Sequence, residues 1–255
     1  MIDSHAHLFL CEKPTAELLE AAAAAGVNRM LNVGLDEETN AQVVAEAERS
    51  EPVFAGVGRH PNSAAGFDDA AQAALAELGA HPMVRAIGET GLDFYRDTAA
   101  PGDQRRAFAG QIEVARELGL PIVIHARDKD GESAAIDEIF ATLDARAGGH
   151  TVILHCFSAP RKVADAVERG WYVSFAGNVT YPRSADLRFA AAKVPEDRIL
   201  VETDAPFLTP QARRKERNEP ANVVLTAAVV AAERGVSPEE LERTVEANAR
   251  ALFGW

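Results

Sequence analysis

One alternation constrains this chain more than any other feature. Short β-branched or apolar runs recur at residues 1–3, 29–33, 53–57, 84–87, 121–124, 151–154, 171–175 and 199–202, eight in all. Several are apolar at successive positions, as in Ile122-Val123-Ile124 and Val152-Ile153-Leu154. That is the pattern of strands covered on both faces. Helix-like stretches separate them. Residues 14–25 stop at Gly26, 37–49 follow Asp36 as N-cap, 104–118 stop at Gly119, and 132–147 stop at Gly148-Gly149. Ser237-Pro238-Glu239-Glu240 has the form of a capping box with proline at the first helical position, opening a helix to about residue 252. No Gly/Ser-rich linker interrupts the series. The pattern predicts an α/β protein, a single (β/α)8 TIM-type barrel forming one domain over residues 1–255. A doubly wound open sheet is the alternative, but no G-x-G-x-x-G follows the first strand.

Composition narrows the class. A chain of 255 residues can bury a large core without disulfides. Its two cysteines, Cys11 and Cys156, are far apart, which speaks against a disulfide scaffold and for a reducing compartment, so a cytoplasmic location is expected. The first residues carry no basic or apolar leader pattern, and the longest apolar run, at 21–25, is too short to span a bilayer. No membrane association and no obligate protein partner are expected. The net charge of −13 excludes a chain that coats nucleic acid through bulk positive charge, though not an enzyme that touches it locally.

The chemistry lies in where polar residues fall on the alternation. Of seven histidines, four end predicted strands: His5 and His7 the first, His125 the fifth and His155 the sixth. Glu89 ends the fourth strand and Asp204 the eighth. In an extended segment residues i and i+2 face one way, so His5 and His7 can reach one ion. In a barrel, strand C-termini converge on the face where active sites form. A lone histidine at a strand end is more often a core or rim residue, and it is the conjunction that points to a metal centre. Imidazoles with carboxylates suit Zn²⁺, Mn²⁺, Fe²⁺ or Co²⁺, and Mg²⁺ less well. Six ligands exceed what one catalytic ion takes, so two ions are expected, with Glu89 as the candidate bridge.

The motifs Asp3-Ser4-His5-Ala6-His7-Leu8, Gly58-Arg59-His60-Pro61, Gly88-Glu89-Thr90-Gly91-Leu92-Asp93-Phe94-Tyr95, Pro121-Ile122-Val123-Ile124-His125-Ala126-Arg127-Asp128, His155-Cys156-Phe157-Ser158, Glu202-Thr203-Asp204-Ala205-Pro206-Phe207-Leu208-Thr209-Pro210 and Arg217-Asn218-Glu219-Pro220 span nearly the whole chain. In order and spacing they resemble the TatD family of metal-dependent deoxyribonucleases, within the amidohydrolase-like barrels. The resemblance implies a (β/α)8 fold and hydrolysis of DNA phosphodiesters with divalent ions (Mg²⁺, Mn²⁺ or Zn²⁺). It implies that His5, His7, Glu89 and Asp204 hold one ion, and Glu89, His125 and His155 the other. Two departures stand out. Phe9 occupies a position where the family usually has Asp, and Ala159 one where it has Gly. Neither removes a proposed ligand.

The expected mechanism is attack on phosphorus by a hydroxide bridging the two ions, with Asp204 orienting the water and accepting its proton. His60 either contacts the phosphate or protonates the leaving group, or is a rim histidine bonded to backbone; the resemblance favours function. Arg127 either forks onto a phosphate or pairs with Asp128. Glu202, two residues before Asp204, either supports a ligand or binds a further ion. Arg217, with Asn218 and Glu219, either anchors a loop or contacts the site. Arg213-Arg214-Lys215 forms the one basic concentration, a local platform for a polyanion or a solvated loop. Phe94 and Tyr95 either stack on a base or cover the barrel mouth. Cys156 reads as filler, and Trp171, Tyr172 and Phe175 as strand core.

An end-directed DNase is therefore the leading reading. A related dinuclear barrel hydrolase acting on an amide, lactone or small phosphoester is the alternative. A non-catalytic binding protein conflicts with the complete ligand set.

Overall fold

The computed structural model describes residues 1–96 and 98–255. All eight expected strands form: β1 (Ile2–Ala6), β2 (Arg29–Val33), β3 (Val53–Val57), β4 (Val84–Asp93), β5 (Ile122–Arg127), β6 (Val152–Leu154), β7 (Tyr172–Phe175) and β8 (Ile199–Val201). Their order in the sheet follows their order in the chain, and the recorded pairings are parallel. Helices alternate with them: α1 (Thr15–Ala24), α2 (Glu37–Arg49), α3 (Asp69–Gly79), α4 (Pro101–Leu118), α5 (Ala134–Arg146), α6 (Val163–Glu168), α7 (Ala185–Lys193) and α8 (Val223–Arg234), with α9 (Pro238–Phe253) appended. β8 returns to β1: Asp204 N–H donates to His5 O at 2.9 Å, His7 N–H to Ala205 O at 2.8 Å and Ser4 Oγ to Val201 O at 3.0 Å. The chain is a (β/α)8 barrel.

The residues fall into two compact units. One comprises Met1–Asn32, Ser50–Phe54 and His155–Trp255. It holds β1, β7 and β8, and its α9 packs on β1 and β8. Met30, Leu31 and Phe175 are among its fully buried side chains. The other comprises Val33–Arg49 and Ala55–Leu154. Here α4 packs on β4 and β4 pairs with β5, with Phe108, Ile112, Ile122 and Ile124 buried. Among the described residues no helix is long and apolar enough to cross a membrane.

Local signals explain several boundaries. Ser237 Oγ accepts the Glu240 N–H at 3.2 Å, as the capping box predicts, and Gly119 ends α4 in the left-handed region at φ 67°. β4 is the largest departure from expectation, continuing beyond residue 87 to Asp93. Glycine is the reason. A Cβ on Gly91, at φ +141°, would stand 2.0 Å from His125 O, so only glycine lets β4 run this close to β5. β1 likewise extends beyond residue 3 to Ala6, with His5 buried within it.

Candidate metal centre

In the first unit, β1 ends with two imidazoles aimed together: His5 Nε2 and His7 Nε2 are 3.2 Å apart. The His5 and His155 rings stack at 4.0 Å between centroids. His155 Nδ1 lies 3.1 Å from Glu202 Oε1, which also accepts the Cys156 N–H at 2.7 Å. That second bond explains how Cys156, a non-glycine residue, is held at φ 43°. A ring nitrogen engaged by a carboxylate fixes the tautomer and leaves Nε2 as the lone-pair donor. Glu202 is buried beside β8; burial pushes its carboxyl up, yet His155 and His5 together hold it below the usual range. It is therefore an anion facing imidazoles. Asp204 follows at φ 55°, a left-handed conformation aspartate tolerates better than most residues, with Oδ1 3.6 Å from His7 Nε2.

A buried frame supports this cluster. Asp3 accepts the Thr203 N–H at 2.9 Å, the Thr203 hydroxyl, and the His5 N–H at 3.3 Å. Burial raises the Asp3 carboxyl to about 7 against those bonds. Asn218, also buried, donates to Thr203 O at 2.9 Å and Phe207 O at 2.7 Å, tying the segment after β8 to the site.

In the second unit, β4 and β5 present Glu89 and His125 together, with His125 Nδ1 2.6 Å from Glu89 Oε1. His125 Nε2 lies 3.3 Å from Asp93 Oδ2. His60, in the turn after β3, packs edge-on to His125 at 4.5 Å between centroids, with Nε2 3.6 Å from Glu89 Oε1. Its Nδ1 accepts the Asn62 N–H at 3.0 Å. Asp93 accepts from Asn62 Nδ2, Tyr95 N and Arg96 N, each at 2.9 Å. Burial raises the Asp93 carboxyl, but His125 and these donors outweigh it and hold the group well below the usual carboxylate range. Two buried glutamines of α4 brace the strand ends. Gln104 Oε1 accepts the Asp93 N–H at 2.9 Å, and Gln111 Nε2 donates to Thr90 Oγ1 at 2.7 Å.

The donor set fits divalent ions. His5, His155 and Glu202 offer atoms within 4.8 Å of one another, and so do His60, Asp93 and His125. Glu202 Oε2 is buried with no hydrogen-bond partner among the described residues, an anionic oxygen that a cation would satisfy. Imidazole nitrogen with carboxylate oxygen is the chemistry of first-row divalent ions.

Other candidates are placed differently. Arg127 is exposed, its guanidinium 4.3 Å from the Tyr95 ring centroid, while Asp128 accepts the Ala135 and Ile136 N–H groups at the start of α5. Arg217 Nε donates to Glu12 Oε1 at 3.1 Å. Of the basic cluster, Arg213 pairs with Glu216 at 3.2 Å and Arg214 lies 4.5 Å over the Tyr181 ring. Tyr172, expected in the core, is half-buried beneath Arg198. Sequence reasoning missed Asp3, Asp93, Gln104, Gln111 and Thr203. Asp93 had a signal: four residues beyond Glu89 in one strand, it faces the same side. Gln104 and Gln111, seven apart, share one face of α4.

Comparison with known proteins places this architecture. A family model described as "TatD related DNase" matches residues 2–254. A protein of Mycobacterium tuberculosis named "Uncharacterized metal-dependent hydrolase TatD" is 39% identical over 264 residues, covering 100% of this chain and 98% of its own. A Cronobacter sakazakii protein named "3'-5' ssDNA/RNA exonuclease TatD" is 37% identical over 243 residues, covering 93% of this chain and 90% of its own. The crystal structure of YjjV, a TatD homologue from Escherichia coli K12, superposes with a TM-score of 0.90 at 27% identity, covering 100% of this chain and 98% of its own.

Proposed function

This chain belongs to the TatD-related DNase family of metal-dependent hydrolases, and we propose that it removes nucleotides from an end of single-stranded DNA. The reading takes residues 1–255 as one catalytic domain in which His5, His7, Glu89, His125, His155 and Asp204 would hold two divalent ions, Glu89 being the ligand they share. The observation that carries it is the pairing of metal-type donors within each unit: His5 and His7 through Nε2 atoms 3.2 Å apart in one, and His125 Nδ1 against Glu89 Oε1 at 2.6 Å in the other. The nucleic-acid substrate is supported by the relatives named 3'-5' ssDNA/RNA exonuclease at 34–37% identity. Divalent ions held by these residues would supply Lewis-acid charge to acidify water and offset charge on the phosphate.

The remaining steps belong to side chains. Asp204 orients the attacking water and accepts its proton. His60 uses Nδ1 to accept from Asn62, so its neutral ring carries the proton on Nε2 and can donate it to the phosphate or the leaving oxygen. Arg127, flattened against Tyr95, forks onto a phosphate oxygen pair. Glu202 orients His155, and Arg217 meets the backbone of the incoming strand.

Metal-stripped protein is incubated with end-labelled single- and double-stranded DNA, with Mg²⁺, Mn²⁺ or Zn²⁺ restored separately. Stepwise shortening from one end is the expected result, lost in Glu89→Ala and Asp204→Ala. Wild-type turnover by either variant with its metal content intact overturns the assignment. No DNA cleavage with any ion, alongside turnover of a lactone, amide or small phosphoester, replaces the nuclease reading.

A further inference from the structure

Two phenylalanines of the first unit approach His7 edge-on. The Phe9 ring lies 5.9 Å from the His7 ring centroid at 76°, and the Phe207 ring 6.3 Å away at 70°. Phe207 is 43% exposed, Leu10 beside it in sequence to Phe9 is 37% exposed, and Phe9 is half-buried. An apolar ring left in water forfeits burial energy and returns nothing to the fold. Yet the backbone holds Phe207 in place. Its N–H donates to Asp204 O at 2.8 Å, and its carbonyl accepts from the buried Asn218 at 2.7 Å. The chain thus spends a buried side chain on keeping an aromatic ring exposed beside an imidazole of the metal cluster.

We propose that Phe9 and Phe207 form a stacking site for the unpaired nucleobase at the end of the substrate strand. This rests on the exonuclease reading above and goes beyond it by naming what the site recognises. Every base offers a flat π-face, so an aromatic pair holds it regardless of sequence. A base inside a duplex has both faces covered by its neighbours, so the pair selects a frayed or single-stranded end. A phosphate bound beside His7 would bring its nucleoside near the two rings, which stand 5.9 and 6.3 Å from that imidazole. The segment from Phe207 to Asn218 also carries the exposed Arg213, Arg214, Lys215 and Arg217, which attract the strand that such a base belongs to.

The test compares kcat/KM for two single-stranded oligonucleotides that differ only in whether the terminal nucleotide carries a base or is abasic. Wild type prefers the base-bearing end. Phe207→Ala and Phe9→Ala each lower the ratio of base-bearing to abasic turnover about tenfold, within the range of one stacked base, and Phe207→Tyr restores it. A ratio divides out any loss of folded protein. Cleavage of both oligonucleotides by wild type with a ratio unmoved in both alanine variants overturns the stacking site and leaves the nuclease reading standing. Failure of wild type to cleave either oligonucleotide overturns the nuclease reading, and this inference with it.

Discussion

His125 and Gly91 are register partners across β4 and β5, and the His125 carbonyl lies where a Gly91 side chain would begin. The same approach brings His125 Nδ1 within 2.6 Å of Glu89 Oε1. Gly91→Ala therefore faces a backbone clash as well as an unfavourable φ. The expected loss is about 3 kcal/mol or more. Gly66→Ala is the control: its φ is +74°, but nothing stands within 4 Å of the added atom, so about 1–2 kcal/mol is expected. Urea unfolding of both variants decides it. Equal losses would mean that the close approach of the strands costs nothing.

Glu202 reaches His155 and the Cys156 N–H with one oxygen. If it orients the ring, Glu202→Gln weakens divalent-ion binding about 10- to 100-fold, the range for losing a carboxylate that supports a ligating histidine. Equilibrium dialysis with Mn²⁺ or Zn²⁺ measures this directly. An unchanged affinity in Glu202→Gln would remove Glu202 from the centre.

Asp3 links stability to pH. Its carboxyl is raised from 3.8 to about 7 by burial, so between those values the folded protein holds a proton that the unfolded chain has lost. The sign follows: this contribution is complete below about pH 4 and is lost as pH rises through 7. Its size is roughly 4 kcal/mol at most. In chelator-treated protein, the difference in Tm between wild type and Asp3→Asn should shift against wild type from pH 5 to pH 8. Parallel curves would show that Asp3 does not titrate in this window.

The barrel was legible because strands covered on both faces read as unbroken apolar runs, and all eight were locatable. Four helices were not. α6 spans only six residues, α8 is apolar around most of its circumference, and α3 and α7 are alanine-rich, so none shows a clear 3.6-residue stripe. The end of β4 was hidden by Gly88 and Gly91, which read as turn residues until the neighbouring backbone explains them. That His5 faces His7 was legible in their i, i+2 spacing. Their supports were not, because Asp3 meets Thr203 across 200 residues of chain.

Asp93 is the support that most resembles a site residue. One oxygen takes the Tyr95 and Arg96 N–H groups, and the other faces Asn62 Nδ2 and His125 Nε2. Asparagine matches its shape but replaces that second oxygen with a donor, setting it against two groups that need an acceptor. Asp93→Asn should thus keep the turn at 94–96 while releasing His125 and, through Asn62, His60. We expect kcat/KM to fall about 10- to 100-fold. Because the Asp93 carboxyl is held below the usual range, its stabilising contribution is complete above about pH 4 and is lost only as pH falls further. The stability lost in Asp93→Asn should therefore be constant between pH 5 and 8, unlike that in Asp3→Asn. Activity within twofold of wild type would make Asp93 a turn residue only, and a stability difference that varies across that pH range would refute its depressed ionisation.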